Sequence, residues 1–142
     1  MLTENDVVDA VAAYLSSLGY TVESKCTTFE RGVDIVALHG TTGRRLRVDA
    51  KGGTSSKDYT DRFGKRFNGG QVRSHVSRAL YEAAVMLGAY PGDEVALALP
   101  DDEHHRRRVD AIRAVLDRLA IVVFFVGDDR SVRALGEVCT GS

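Results

Sequence analysis

The sequence is poor in cysteine and contains no long hydrophobic run. Cys26 and Cys139 are its only cysteines, and they lie far apart without the spacing of a metal site. A disulfide framework and a cysteine-based zinc site are therefore poorly supported. The longest apolar run, Leu119 to Val126, is far shorter than the roughly 20 residues that a membrane helix needs. These absences argue against disulfide-stapled, zinc-ribbon and membrane-spanning proteins.

The sequence also lacks an excess of charge of one sign, because its formal net charge is −1. This balance argues against a uniformly basic nucleic-acid binder, but the charges are unevenly distributed. From Gly43 to Arg78 only three residues are acidic, and a local basic surface can bind phosphates even on a neutral protein. The basic residues of this segment are Arg44, Arg45, Arg47, Lys51, Lys57, Arg62, Lys65, Arg66, Arg73 and Arg78.

The overall composition is typical of a soluble globular protein, with 44% hydrophobic and 27% charged residues. The 142 residues contain no repeat, no low-complexity segment and no evident linker, so we expect a single domain over residues 1–142. The first residues, Met1 to Asp6, are acidic and do not form a signal-peptide pattern. We therefore expect a cytoplasmic protein without a membrane partner.

Hydrophobic periodicity predicts the element order αβββαβ followed by αβ. Thr3 is the predicted N-cap of the first helix, with Asp6 at the third helical position as a variant capping box. We interpret the chain after Val126 as a short helix or tail. Strands that alternate with helices in this way indicate an α/β protein with a mixed sheet flanked by helices. The predicted helices are 4–18, 71–87 and a third whose core face is Val109, Ile112, Leu116 and Leu119, and the predicted strands are 20–24, 33–38, 45–50, 93–99 and 121–126.

Two acids and one lysine on the second and third predicted strands stand out chemically. Because side chains alternate along a strand, Asp49 and Lys51 project to the same side, about 6.6 Å apart. If these strands form a hairpin, Asp34 joins them on that side. This set suits a divalent metal bound against a phosphate. The alternative is an Asp–Lys ion pair without a catalytic role, which leaves Asp34 as a costly unpaired acid if it is buried.

The order of elements, with Asp34 before Asp49-x-Lys51, resembles the PD-(D/E)xK nuclease superfamily. Restriction endonucleases, Holliday-junction resolvases and Mrr-type enzymes belong to it. The resemblance implies a restriction-endonuclease-like three-layer core, in which Asp34, Asp49 and the carbonyl of Ala50 bind Mg²⁺ or Mn²⁺. Lys51 is then expected to orient or activate the attacking water. The sequence departs from the commonest pattern, because Val33 replaces proline and the third-strand acid is Asp rather than Glu.

The same resemblance adds Glu4 and Gln71 to the candidate catalytic site. Helical phase places Glu4 on the apolar side of the first helix, and it matches the acid that many members carry there, often supporting the metal. The alternative is that Glu4 occupies a frayed first turn and interacts favourably with the helix dipole. Gln71 resembles a glutamine that some members place at the start of the helix after the third strand.

The segment from Gly52 to Gly70 and the helix after it are the expected nucleic-acid contacts. The segment is long for a connection, and it mixes basic residues with aromatic ones, an arrangement that fits phosphate contact and base stacking. Alternatively, Phe63 and Phe67 attach the segment to the protein body. Gln71, His75, Arg78 and Glu82 form one polar stripe on the helix. The predicted nucleic-acid-binding residues are Lys57, Arg62, Lys65, Arg66, Arg73, His75 and Arg78.

Together these features predict a Mg²⁺-dependent phosphodiesterase that acts on DNA, an endonuclease of resolvase or restriction-like type. A different class remains open, namely a catalytically inactive nuclease-fold protein that serves as a DNA-binding or assembly module. An RNase toxin of the same fold is a weaker alternative. By analogy with members of this size, we expect a homodimer.

Overall fold

Helices and strands follow one another in the predicted order as far as the fourth strand. A computed structural model describes residues 2–25, 34–52 and 69–136, with only the backbone described for residues 69–71. The helices are α1 (Glu4–Ser17), α2 (Gly69–Ala89), α3 (Glu103–Ala111) and α4 (Arg113–Arg118). The strands are β1 (Tyr20–Lys25), β2 (Ile35–His39), β3 (Arg45–Ala50), β4 (Glu94–Pro100), β5 (Ile121–Val126) and β6 (Val132–Leu135).

The six strands form one mixed sheet in the order β1-β2-β3-β4-β5-β6. β1, β2 and β3 are antiparallel, β3, β4 and β5 are parallel, and β6 runs antiparallel to β5. The predicted hairpin between the second and third strands is present, with Ile35 opposite Val48 and Leu38 opposite Arg45. His39 fixes its turn, because His39 Nδ1 accepts hydrogen bonds from the backbone N–H groups of Thr41 and Thr42, each at 3.2 Å.

Helices cover both faces of the sheet, as the sequence predicts. Val7, Val11 and Leu15 of α1 pack on one face, in a core that includes Ala96 and Phe124. The other core contains residues from α2, α3 and α4 together with alternate residues of β4 and β5. The central strands are therefore buried on both faces, which explains why their sequences are almost entirely apolar. This arrangement confirms the predicted α/β class with a mixed, helix-flanked sheet.

Two details of the prediction were wrong. The third helix is two helices, because α3 ends at Ala111 and the next residue, Ile112, has a φ of −116° and a ψ of 14° that interrupt the helical hydrogen bonding. Among the described residues after Val126, Val132–Leu135 form strand β6 rather than a helix or tail. Val132 and Ala134 pack against one core and Leu135 against the other, so β6 is stabilised by both sides of the sheet. Within the described residues, no helix is long and apolar enough to cross a membrane.

Candidate functional site

Asp34 lies directly before β2, and its carboxylate reaches across to the end of β3. Asp34 Oδ2 accepts a hydrogen bond from the backbone N–H of Ala50 at 2.7 Å, and Asp34 is only 8% exposed. Continuing the antiparallel register of β2 and β3 sets Asp34 opposite Asp49. The hairpin therefore brings the two predicted acids to one point, 15 positions apart in sequence, as the alternation of strand side chains requires.

Asp49 and Lys51 lie side by side at the end of β3. Lys51 Nζ is 3.7 Å from Asp49 Oδ2, which is close enough for an ion pair but too long for a hydrogen bond. Asp49 is 8% exposed, and Oδ2 is buried without a hydrogen-bond partner among the described residues. The backbone N–H of Lys51 donates to Ala98 O at 2.9 Å, which extends the parallel pairing with β4 to this residue. A buried carboxylate oxygen therefore lacks the partner that its burial demands.

The first turn of α1 is held against the chain that follows Lys51. A Cβ atom on Gly52 would lie 2.4 Å from the backbone nitrogen of Glu4 and 2.7 Å from the carbonyl carbon of Thr3. Only glycine permits this approach, so Gly52 allows α1 to bring Glu4 next to the end of β3. Glu4 is half-buried rather than exposed.

The positive charge near Asp49, Asp34 and Glu4 is too small to offset the burial of their carboxylates. Burial raises the pKa of Asp49 to about 8; Lys51 opposes the rise, whereas Asp34, Glu82 and Glu4 add to it. Burial also raises the pKa of Asp34, and the Ala50 N–H, Lys51 and Asp49 offset this only in part. Burial and the charge of Asp34 raise the pKa of Glu4, while Lys51 lowers it. The site therefore favours either a proton or an additional cation.

The donor set fits a hard divalent cation that retains water. Among the residues that the structure describes, no group of three or more His, Cys, Asp or Glu side chains is arranged to hold a metal ion by itself. Mg²⁺ commonly uses only one or two carboxylates and completes its shell with other oxygens and water. Asp34 and the partnerless Asp49 Oδ2 can supply the carboxylates, with the backbone of Ala50 beside them.

One flank of α2 faces this site. Burial lowers the pKa of His75, and electrostatic interaction with the nearby bases Lys51 and Arg78 lowers it further. Glu82 acts on both Asp34 and Asp49, although it was not among the predicted site residues. Its place seven positions after His75 and four after Arg78 on the same helix is the sequence signal that could have identified it. Gln71 belongs to the same stripe, but its side chain lies outside the described part of the chain.

Arg73 lies on the opposite flank of α2. It lines a cleft of about 310 Å³ between α2 and α3, together with Val76, Ser77, Leu80 and Arg108. The predicted nucleic-acid contacts on α2 are therefore divided, with His75 and Arg78 towards β3 and Arg73 towards α3. The predicted contacts Lys57, Arg62, Lys65 and Arg66 lie outside the described residues.

The other bases of β3 are held by acids of neighbouring elements. Arg45 Nε lies 2.7 Å from Glu23 Oε1, and Arg47 Nε lies 2.8 Å from Asp93 Oδ2. Arg47 also stacks on the ring of Tyr90, with 3.4 Å between its guanidinium carbon and the ring centroid. Lys51 is therefore the base of this strand that accompanies the candidate site.

The comparisons with known proteins identify the fold but not a family. No family model matches the sequence, and no curated protein matches it. Two solved structures share the fold. An XisH family protein from Nostoc punctiforme is 12% identical and has a TM-score of 0.54, with 92% of this chain and 95% of that chain covered. An fdxN element excision controlling factor protein from Anabaena variabilis is 12% identical over the same shares of the two chains, with a TM-score of 0.53.

Proposed function

We propose that this chain is a metal-dependent nuclease of the PD-(D/E)xK type that hydrolyses phosphodiester bonds of DNA as an endonuclease. The observation that carries the proposal is the buried Asp49 Oδ2, which has no hydrogen-bond partner among the described residues and lies 3.7 Å from Lys51 Nζ. A protein that used this pair only for stability would satisfy the buried oxygen. An oxygen left without a partner beside a second buried acid is the feature expected of a ligand.

Asp34, Asp49 and the carbonyl of Ala50 are the groups that would hold Mg²⁺ or Mn²⁺. A bound divalent ion supplies Lewis-acid chemistry, because it neutralises charge on the phosphate and makes water more acidic. The protein contributes rigidity to this arrangement. The 2.7 Å hydrogen bond from Ala50 fixes the carboxylate of Asp34, and the sheet fixes the backbone on both sides of Asp49. Glu4 adds a third carboxylate close enough to affect Asp34 electrostatically.

Lys51 provides the positive charge for the phosphate. Its side chain is 16% exposed, so it is accessible to a bound phosphate while lying 3.7 Å from Asp49 Oδ2. Charge develops on the phosphate oxygens during hydrolysis, and a fixed cation stabilises that charge more in the transition state than in the ground state.

The α2 flank that carries His75 and Arg78 would hold the nucleic acid next to the reacting phosphate. Arg78 is exposed. The charges of Arg78 and Lys51 both lower the pKa of His75, so His75 and Arg78 lie close enough to Lys51 to belong to one site. One of the proteins that share the fold is an excision controlling factor of the fdxN element by name, and activity on DNA is compatible with that name.

The same name also favours a second candidate function. A controlling factor need not cut, so a nuclease-fold protein that binds DNA or assembles with a partner without cleaving is the alternative. The two candidates differ in what the acids at the end of β3 do: in the nuclease Asp49 is required for the reaction, whereas in the binding module it is not.

Incubation with supercoiled plasmid, branched DNA and RNA, each with Mg²⁺, Mn²⁺ or EDTA, tests the proposal. We expect cleavage of DNA only with metal, and a loss of roughly 100-fold or more in Asp49→Asn. Asp110→Asn is the matched control, because Asp110 is an exposed acid on α3. Cleavage in EDTA, or unchanged cleavage by Asp49→Asn, would contradict the mechanism. Binding of DNA without cleavage of any substrate would favour the binding module.

A further inference from the structure

The loop between β5 and β6 contains an arginine in a backbone conformation that favours glycine. The backbone N–H of Gly127 donates to Ser131 O at 2.9 Å, and the N–H of Arg130 donates to Gly127 O at 2.8 Å. This is the three-residue hairpin loop whose last residue is left-handed, a place where glycine is usual. Arg130 has a φ of +68° there. A bulky residue in this region carries a conformational cost, so a gain is expected elsewhere.

The side chain of Arg130 supplies that gain at the start of α1. Arg130 Nη2 donates to Asp6 Oδ1 at 2.9 Å, although the two residues are 124 positions apart in sequence. The other oxygen, Asp6 Oδ2, accepts a hydrogen bond from the backbone N–H of Thr3 at 3.0 Å. Asp6 in turn donates its backbone N–H to Thr3 Oγ1 at 3.1 Å. The guanidinium therefore anchors the carboxylate that closes the capping box of α1.

The anchored turn is the one that carries Glu4. Thr3 and Glu4 are the residues whose backbone lies against Gly52, with no room for even a Cβ atom between them. Gly52 follows Lys51 directly in the chain. A small movement of this helical turn would therefore move Glu4 relative to Lys51 and Asp34, the two groups that affect its carboxylate.

We propose that Arg130 is a positioning residue for the candidate metal site, acting through Asp6 to hold Glu4 and the first turn of α1 against Gly52. This inference rests on the proposed function, because it assigns Arg130 a role at that same site. The contact is an ion pair between partly exposed side chains, with 56% and 29% of Arg130 and Asp6 exposed. Pairs of this kind add little to overall stability, so a role in stability alone does not account for the strained backbone.

Arg130→Gly distinguishes a role of Arg130 in positioning α1 from a role in overall stability. The substitution relieves the left-handed strain while removing the contact with Asp6, so we expect a melting temperature equal to or above that of the wild type. In the metal-free protein, we expect amide hydrogen exchange at Asp6 and Val7 to become about fivefold faster, as for partial loss of a helix cap. The amide resonance of Gly52 should shift as well, and the Mn²⁺ dissociation constant should rise about threefold to tenfold.

Two further variants act as controls. Arg130→Lys retains a cation and should restore most of the exchange protection. Ala120→Gly relieves strain at Ala120, the other non-glycine residue with positive φ (56°) in the described part of the chain, and should raise the melting temperature without changing exchange in α1 or Mn²⁺ affinity.

Unchanged exchange at Asp6 and Val7 together with an unchanged Gly52 resonance in Arg130→Gly would overturn the proposal. An unchanged Mn²⁺ dissociation constant, in a wild type that binds Mn²⁺, would overturn it equally. A wild type that does not bind Mn²⁺ at all would count against the proposed function instead. In that case the exchange and resonance measurements on the metal-free protein still decide whether Arg130 positions α1.

Discussion

The carboxylate of Asp34 and the backbone N–H of Ala50 form a buried 2.7 Å hydrogen bond between the residue before β2 and the last residue of β3. This bond gives Asp34 two roles, since it stabilises the hairpin and presents the second oxygen of a buried acid to Asp49. A structural acid needs only the first role, whereas a metal ligand needs both.

Substitutions at Asp34 should separate these roles. Asp34→Ala leaves the buried N–H of Ala50 without an acceptor, which should cost about 1–3 kcal/mol in the free energy of unfolding. Asp34→Asn retains an acceptor oxygen, so we expect near-wild-type stability in urea but a loss of Mn²⁺ binding and of cleavage. Equal urea stability of Asp34→Ala and the wild type would show that the hydrogen bond contributes nothing.

The raised pKa of Asp49 makes the stability of the metal-free protein depend on pH. Burial raises the folded-state pKa of Asp49 from 3.8 to about 8. The folded protein therefore holds a proton on Asp49 that the unfolded chain loses, and the stability that this proton contributes is fully present below pH 3.8 and is lost as pH rises through 8. Asp49→Asn cannot ionise and should avoid this loss. We expect its melting temperature in EDTA at pH 8 to exceed that of the wild type by at least about 3 °C.

Added Mg²⁺ or Mn²⁺ should raise the wild-type melting temperature more at pH 8 than at pH 5.5, because an ion bound at the proposed site would replace a proton at the acids. The metal should have little effect on Asp49→Asn, and Asp110→Asn should respond as the wild type does. If the wild type and Asp49→Asn have the same melting temperature at every pH in EDTA, the pKa of Asp49 is not raised.

Gly52→Ala should damage both the fold and the site. The added Cβ would lie 2.4 Å from a backbone atom of α1, so the helix or the strand end must shift, at a cost of about 1–3 kcal/mol in the free energy of unfolding. Mn²⁺ affinity should fall because Glu4 moves with the helix. Gly88→Ala is the matched control, since a Cβ there meets nothing within 4 Å and it lies within α2. That control should be neutral or stabilising by up to about 1 kcal/mol.

Lys51→Met should affect the chemistry more than the binding of metal. In the proposed nuclease Lys51 would stabilise transition-state charge, so its loss should lower the rate of cleavage by roughly 100-fold or more at saturating Mg²⁺. The pKa of Asp49 should rise, because Lys51 is the group that lowers it. Single-turnover kinetics combined with a Mn²⁺ titration test this. A rate that higher Mg²⁺ fully restores would assign Lys51 to metal binding instead.

Arg78→Ala should reduce the salt dependence of DNA binding. A contact to one phosphate contributes about 0.9 to the slope of log affinity against log salt concentration, so the slope should fall by about one. Arg118→Ala, at an exposed residue of α4, should leave the slope unchanged. An identical slope in Arg78→Ala and the wild type would remove this flank of α2 from the interface.

Local regularities explain which features could be predicted. The capping box of Thr3 and Asp6 depends on residues three positions apart, and the hairpin of β2 and β3 depends on the alternation of neighbouring side chains. The neighbouring placement of Asp49 and Lys51 follows from the same alternation. β6 was missed because its four residues pack against both cores only after the sheet has formed.

The residues at the end of β3 show most clearly what the sequence determines and what depends on tertiary contacts. The sequence by itself determined which residue types could form a metal site, because Asp34, Asp49 and Lys51 follow from strand period and chemistry alone. The tertiary structure decided what surrounds these residues: Gly52 admits α1, Glu82 of α2 raises the pKa of Asp49, and Arg130 reaches Asp6 across 124 positions. Such contacts depend on which elements pack together, and a local pattern carries no information about distant partners.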